Sequence, residues 1–209
     1  VAAEYAERLA PAIERVWVSG IEEIRTALRG WIHELAHLEG DWRPAHFELS
    51  FGLPDSDRPE ALLPDDFRLR GRIDLVEADT ARRRLRVTDH KTGKPPDRLP
   101  RWIGNGELLQ PVLYGLAAEQ LLGAPVDSGV LFYATQRGEY RRVEIRLDHD
   151  ARLRAALVLR TIEDALQQGF LPAAPRPGAC EYCDYRPVCG PYEERRVQHK
   201  DQDLLDPLV

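Results

Sequence analysis

The chain has 209 residues, a formal charge of −6 and three cysteines. That length supports one substantial core with a small appended module. The acidic balance excludes a general nucleic-acid coat protein, which would be basic; no apolar run approaches the ~20 residues that cross a bilayer; and three cysteines crowded into 180–189 make no disulfide framework. With no signal peptide at its start, the chain reads as a soluble, cytoplasmic protein with no membrane partner. Its opening in mid-helix and its lack of methionine lead us to expect a piece of a longer polypeptide.

Tyr5, Leu9, Ile13 and Val16, then Ile21, Ile24, Leu28, Ile32 and Leu35, recur at helical spacing and predict two helices broken near Ser19-Gly20. His33 and His37 lie one turn apart, a spacing that can hold a metal, but no third ligand accompanies them, and surface or capping histidines are commoner. His46 to Phe51 alternates as a strand with Phe47, Leu49 and Phe51 on one face. Leu53 to Asp66, rich in Pro and Asp, reads as a surface loop.

A hairpin follows: Arg70 to Val76 runs up, Glu77 to Arg83 turns, and Arg84 to Lys91 returns. Residues 94–106 are irregular. Leu108 to Leu122 predicts a helix with Leu109, Val112, Leu113, Leu116 and Leu121 as its apolar face, Pro111 in its first turn, and Gln110 and Tyr114 on one side. Gly129 to Thr135 and Tyr140 to Leu147 form a second hairpin. Asp148 or Asp150 caps a helix that runs to Gln168, with Leu153, Leu157, Ile162 and Leu166 inward and Gly169 as its stop. A proline-rich link leads to the cysteines, and Tyr192 to Val209 reads as an extended tail or partner arm. This order gives an α/β fold with a mixed central sheet flanked by helices: N-terminal helices over 1–40, a core over 41–170, and a Cys-rich segment with a charged tail over 171–209.

The chemistry gathers at the first hairpin. Strand alternation puts Leu85, Val87, Asp89 and Lys91 on one face, so a carboxylate and an ammonium sit side by side, with Asp74 on the neighbouring strand. Buried charges need a partner or a metal. The bare spacing fits a structural ion-pair cluster at least as well as a cation site. Cys180-x2-Cys183-x5-Cys189, with His199 in reach, by itself fits a three-cysteine, one-histidine zinc site first.

In order, Gly71-Arg72-Ile73-Asp74, then Val87-Thr88-Asp89-His90-Lys91-Thr92-Gly93, then Gln110-x3-Tyr114, then the three cysteines resemble the PD-(D/E)XK nuclease superfamily. They resemble specifically its RecB/AddB-like branch with C-terminal iron–sulfur cysteines, and the resemblance spans about Phe47 to Cys189. It implies a restriction-endonuclease-like core with a Cys-rich staple, and a Mg²⁺- or Mn²⁺-dependent deoxyribonuclease. Catalysis would fall to Lys91, Asp89 and Asp74; the cation would be held by Asp74, Asp89 and the main-chain carbonyl of His90; and Gln110 and Tyr114 would support the site. His33 or His37 would be the family's helical metal histidine. Cys180, Cys183 and Cys189 would ligate a [4Fe-4S] cluster whose fourth thiolate lies outside this chain. Single-stranded DNA ends would be the substrate, a helicase domain or subunit the partner, and recombinational repair the setting. A stand-alone or CRISPR-associated nuclease of the same fold, and a non-catalytic DNA-binding or structural domain with a zinc staple, are the alternatives.

Overall fold

Five segments of β-forming residues hydrogen-bond into one sheet in the order β1 (Arg43–Phe51), β4 (Gly71–Asp79), β5 (Arg84–Lys91), β6 (Val126–Tyr133), β7 (Arg142–Arg146). The coordinates, a computed structural model, describe residues 4–5, 7, 13–38, 40–95, 108–170, 173, 175 and 178–200. All neighbouring strands are antiparallel except β5 and β6, which run parallel with Asp89 beside Leu131 and Lys91 beside Tyr133. A parallel pair needs a crossover, and helix α2 (Leu109–Leu122) lies within it. A two-residue ladder of β2 (Ala61–Leu62) and β3 (Arg68–Leu69) lies between β1 and β4 in sequence. This is the mixed α/β core that the sequence predicts.

α2 and α3 (His149–Gln167) cover one face of the sheet, where Leu49, Phe51, Ile73, Val76, Leu85 and Val87 bury against Val112, Leu116, Ala155, Val158 and Leu159. Helix α1 (Glu14–Ala36) meets the other face. Trp31 stands edge-on to His90 with ring centroids 5.6 Å apart. A Cβ on Gly30 would lie 2.1 Å from the Tyr140 ring, so that glycine is what admits the ring against the helix. Among the described residues no helix is long and apolar enough to cross a membrane.

Several expectations are corrected. The predicted break at Ser19-Gly20 is absent: α1 continues through both, and nothing lies within 4 Å of a Cβ built on Gly20. A single glycine costs a helix only about 1 kcal/mol, too little to end it. The first hairpin turns later than expected, because Glu77 belongs to β4. It is buried and takes a two-pronged bond from Arg86 (2.9 and 2.7 Å) and one from Thr88 Oγ1 (2.9 Å). Its polarity suggested a turn; its partners on the next strand could not be read from period alone.

In β1, Phe47 is 71% exposed while Leu49 and Phe51 are buried. Glu48 between them takes a left-handed φ of 49° and breaks the alternation. In α3, Leu153 and Leu166 are 56% and 54% exposed, and Ala151, Ala155, Val158, Leu159 and Ala165 are the buried ones. Of the four residues expected to face inward, Ile162 packs against the core and Leu157 is half-buried, so the buried stripe is shifted round the helix and not reversed. Asp148 is the cap, accepting from Ala151 N at 2.9 Å.

The expected extended tail is, as far as Lys200, two short helical turns, Glu193–Arg196 and Val197–His199, with buried Glu193 paired to Arg196 and Lys200. Residues 201–209 and most of the irregular 94–106 segment lie outside the described residues.

Candidate active site

Gly129 on β6 sets the site's dimensions. A Cβ there would lie 2.2 Å from the carbonyl oxygen of Pro111, so only glycine lets the first turn of α2 rest on the sheet. That contact delivers Gln110 to the C-terminal end of β5, the place where α/β sheets present their functional groups. There, Gln110 Nε2 donates to Asp89 Oδ1 at 2.6 Å and Lys91 Nζ donates to Gln110 Oε1 at 2.7 Å. Lys91 Nζ also stands 2.6 Å from Asp89 Oδ2. Three side chains thus close a ring. Next to it, Asp74 Oδ2 accepts from the backbone N–H of His90 at 2.7 Å, with His90 Nδ1 at 3.5 Å.

Asp89 is 6% exposed, and burial pushes its carboxyl above the ordinary carboxylate range. Lys91 opposes that shift and the charge of Asp74 adds to it, so the two carboxylates feel each other. Although Lys91 is close to Asp89 Oδ2, the contact lacks hydrogen-bond alignment, leaving that buried oxygen without a directed donor. An under-satisfied carboxylate oxygen beside a second carboxylate is a hard-oxygen site. The carboxylates of Asp74 and Asp89 are donors of the kind that suit Mg²⁺ or Mn²⁺, which prefer a few oxygen ligands plus water and phosphate.

Other expected residues are placed elsewhere. Tyr114, half-buried, lies edge-on to Phe51, ring centroids 6.4 Å apart, and beside Gly71 at the start of the strand that carries Asp74. His33 and His37 are exposed, their ring centroids 4.3 Å apart and the planes tilted by 46°, and His37 Nδ1 lies 2.7 Å from His33 O. Neither joins the two aspartates.

Cys180, Cys183 and Cys189 are free thiols, and among the described residues no group of three or more His, Cys, Asp or Glu is arranged to hold a metal. Glu194 instead binds the backbone N–H groups of Gly178 and Cys180, at 3.1 and 3.0 Å. Burial and then Glu194 push the Cys180 thiol above the ordinary thiol range.

Sequence reasoning missed the buried Glu77–Arg86 pair and the Trp31–His90 contact. The first was signalled only by opposite charges at strand ends, the second by nothing local.

A family model of the PD-(D/E)XK nuclease superfamily matches residues 1–190. The chain belongs to that superfamily. No curated protein matches it. PD-(D/E)XK proteins are typically metal-dependent nucleases, so membership points to a nuclease with a nucleic acid as substrate.

Proposed function

We propose that the chain is the Mg²⁺- or Mn²⁺-dependent deoxyribonuclease domain of a RecB/AddB-like helicase–nuclease, cutting single-stranded DNA ends during double-strand-break repair. The observation that carries the catalytic part is the closed ring of Asp89, Gln110 and Lys91 with Asp74 on the adjacent strand. Asp74, Asp89 and the His90 carbonyl would hold the cation, which would supply Lewis-acid polarisation of the phosphate and ease deprotonation of the attacking water. The Lys91 ammonium orients that water and offsets the negative charge that develops on the phosphate. Gln110 fixes both members of the Asp89–Lys91 pair, so neither needs to reorganise when substrate arrives.

The RecB/AddB-like branch is supported by the order of the motifs and by the Phe47-to-Gly52 segment ahead of the Gly-Arg-Ile-Asp strand. The same reading assigns Cys180, Cys183 and Cys189 to a [4Fe-4S] cluster completed by a thiolate from elsewhere; its support is their spacing. Iron and sulfide in the purified full-length protein test it, and stoichiometric zinc without iron overturns it.

End-labelled single-stranded DNA incubated with the chain tests the activity. Cleavage with Mg²⁺ that EDTA stops and Lys91→Ala abolishes is the expected result. Cleavage that survives EDTA, or that Lys91→Ala performs at full rate, defeats the assignment.

A further inference from the structure

We infer that the His90 imidazole is a positioning residue for Asp74, and that Trp31 of α1 in turn orients that imidazole, so that docking of α1 completes the cation site from behind. The inference rests on the proposed nuclease reading and deepens it.

His90 falls between Asp89 and Lys91 on β5, so its side chain leaves on the face opposite theirs. It emerges under α1, between Trp31 (centroids 5.6 Å, near perpendicular) and Phe132 (5.8 Å). Phe132 is backed by the Arg142 guanidinium at 4.9 Å, which closes the slot on its far side. Held there, His90 turns Nδ1 to within 3.5 Å of Asp74 Oδ2, the oxygen that already accepts from the His90 backbone N–H. A carboxylate acceptor selects the tautomer with the proton on Nδ1.

His90 Nε2 is buried and has no hydrogen-bond partner, and neither has Trp31 Nε1. With the proton on Nδ1, Nε2 is an acceptor without a donor, while the Trp31 N–H is a donor without an acceptor. Two orphaned atoms of opposite kind belong to neighbouring rings. The indole N–H and His90 Nε2 are not bonded to each other, so Trp31 acts on His90 through the edge-on packing of its ring, and His90 acts on Asp74 through the 3.5 Å approach of Nδ1 to Oδ2. Groups that orient ligand carboxylates in this way typically account for about 10–100-fold in metal affinity.

The slot is also where α1 is anchored: Tyr140 donates to Thr26 O at 3.3 Å and lies against Gly30, one residue before Trp31. The helix has no fully buried residue, so these aromatic contacts carry much of its attachment.

Mn²⁺ binding to the full chain, read by the paramagnetic signal of the free ion, tests the inference apart from activity. His90→Ala weakens Mn²⁺ binding by about tenfold or more. Asparagine places an N–H near the position of Nδ1 and glutamine near that of Nε2, so His90→Asn restores most of the affinity and His90→Gln does not. Trp31→Ala removes the ring that packs edge-on to His90 and weakens binding by a smaller factor than His90→Ala; wild-type affinity in Trp31→Ala overturns the role of Trp31. Equal rescue by Asn and Gln, or wild-type affinity in His90→Ala, overturns the inference even if one variant is poorly folded, since the Asn and Gln proteins are compared with each other. If wild type binds Mn²⁺ no better than an Asp74→Ala, Asp89→Ala double variant, the nuclease reading falls and this inference with it.

Discussion

Asp89 and Lys91 stand 2.6 Å apart at the end of β5, and the carboxylate is the more deeply buried of the two. Burial, joined by the charge of Asp74, raises the Asp89 pKa despite Lys91. The folded chain therefore binds that proton more tightly than the unfolded chain. The sign follows: from the ordinary carboxylate value up through the raised folded value, this group costs stability as pH rises, and above it the cost is complete. Removing the charge removes the cost. Metal-free Asp89→Asn should melt above wild type at pH 7.5, with the gap closing as pH falls towards 4, while its nuclease activity drops by at least about 100-fold. Lys91 keeps access to water at 35% side-chain exposure, so losing its partner offsets little of the gain. A variant that melts below wild type at pH 7.5 would show the ion pair to be a net stabiliser.

Gln110 is chemically amphoteric in its role, donating to Asp89 and accepting from Lys91. Gln110→Ala removes both bonds and should lower kcat by about 10–100-fold. Gln110→Glu keeps the shape but sets a second carboxylate against Asp89 Oδ1, so it should be the worse of the two. Steady-state kinetics on single-stranded DNA decide the order; a glutamate variant better than alanine would show that contact with Lys91 alone matters.

Much of this site was legible because the strand period puts Asp89 and Lys91 on one face, while Gln110 was brought to it only by the resemblance of the motif order to the nuclease family. The face shared by Leu85, Val87, Asp89 and Lys91, the early position of Pro111 and the Asp148 cap all follow from local rules. What period cannot reach is contact between distant segments. Glu77 looked like turn material until Arg86 and Thr88 satisfied it. Trp31 and His90, far apart in sequence, carry no mark of their meeting. On α3 the large-residue pattern placed Ile162 correctly but not Leu153 and Leu166, because the stripe that reaches the core also runs through Ala151, Ala155 and Ala165. Tyr114 shares a helix side with Gln110 and lies half-buried beside Gly71 and Phe51, a neighbourhood that the helix period alone does not specify.

α2 and α3 are clamped by Glu119 and Arg152, with bonds of 2.6 and 2.7 Å, and Glu119 also takes the N–H of Val126 at 2.8 Å. Burial pushes the Glu119 carboxyl up, but Arg152 and the Val126 N–H together outweigh it and hold it below the ordinary range. A depressed folded pKa gives stability that is present above the unfolded value of 4.5 and lost as pH falls through the folded one. Glu119→Gln should cost about 1 kcal/mol near neutrality, reduced from a fully buried pair by the exposure of Arg152. For a chain of this size that is about 2–4 °C in Tm. Melting curves of both proteins should converge as pH is lowered below 4; a constant difference across pH would assign the cost to packing.

Gly129→Ala separates the geometry of the site from its chemistry. The new Cβ would meet the backbone carbonyl of Pro111 at 2.2 Å, and a main-chain oxygen cannot swing aside as a side chain can. Relief requires the first turn of α2 to lift from β6. Overpacking of this kind costs about 1–3 kcal/mol, so Tm should fall by several degrees. The lift also draws Gln110 away from Asp89 and Lys91, and misplacement of a positioning group by about 1 Å can cost on the order of 100-fold in rate. Activity measured well below the lowered Tm should therefore fall far more than the fraction of folded protein. If the loss of rate merely tracks the loss of folded chain, the first turn of α2 does not set the Asp89–Lys91 geometry.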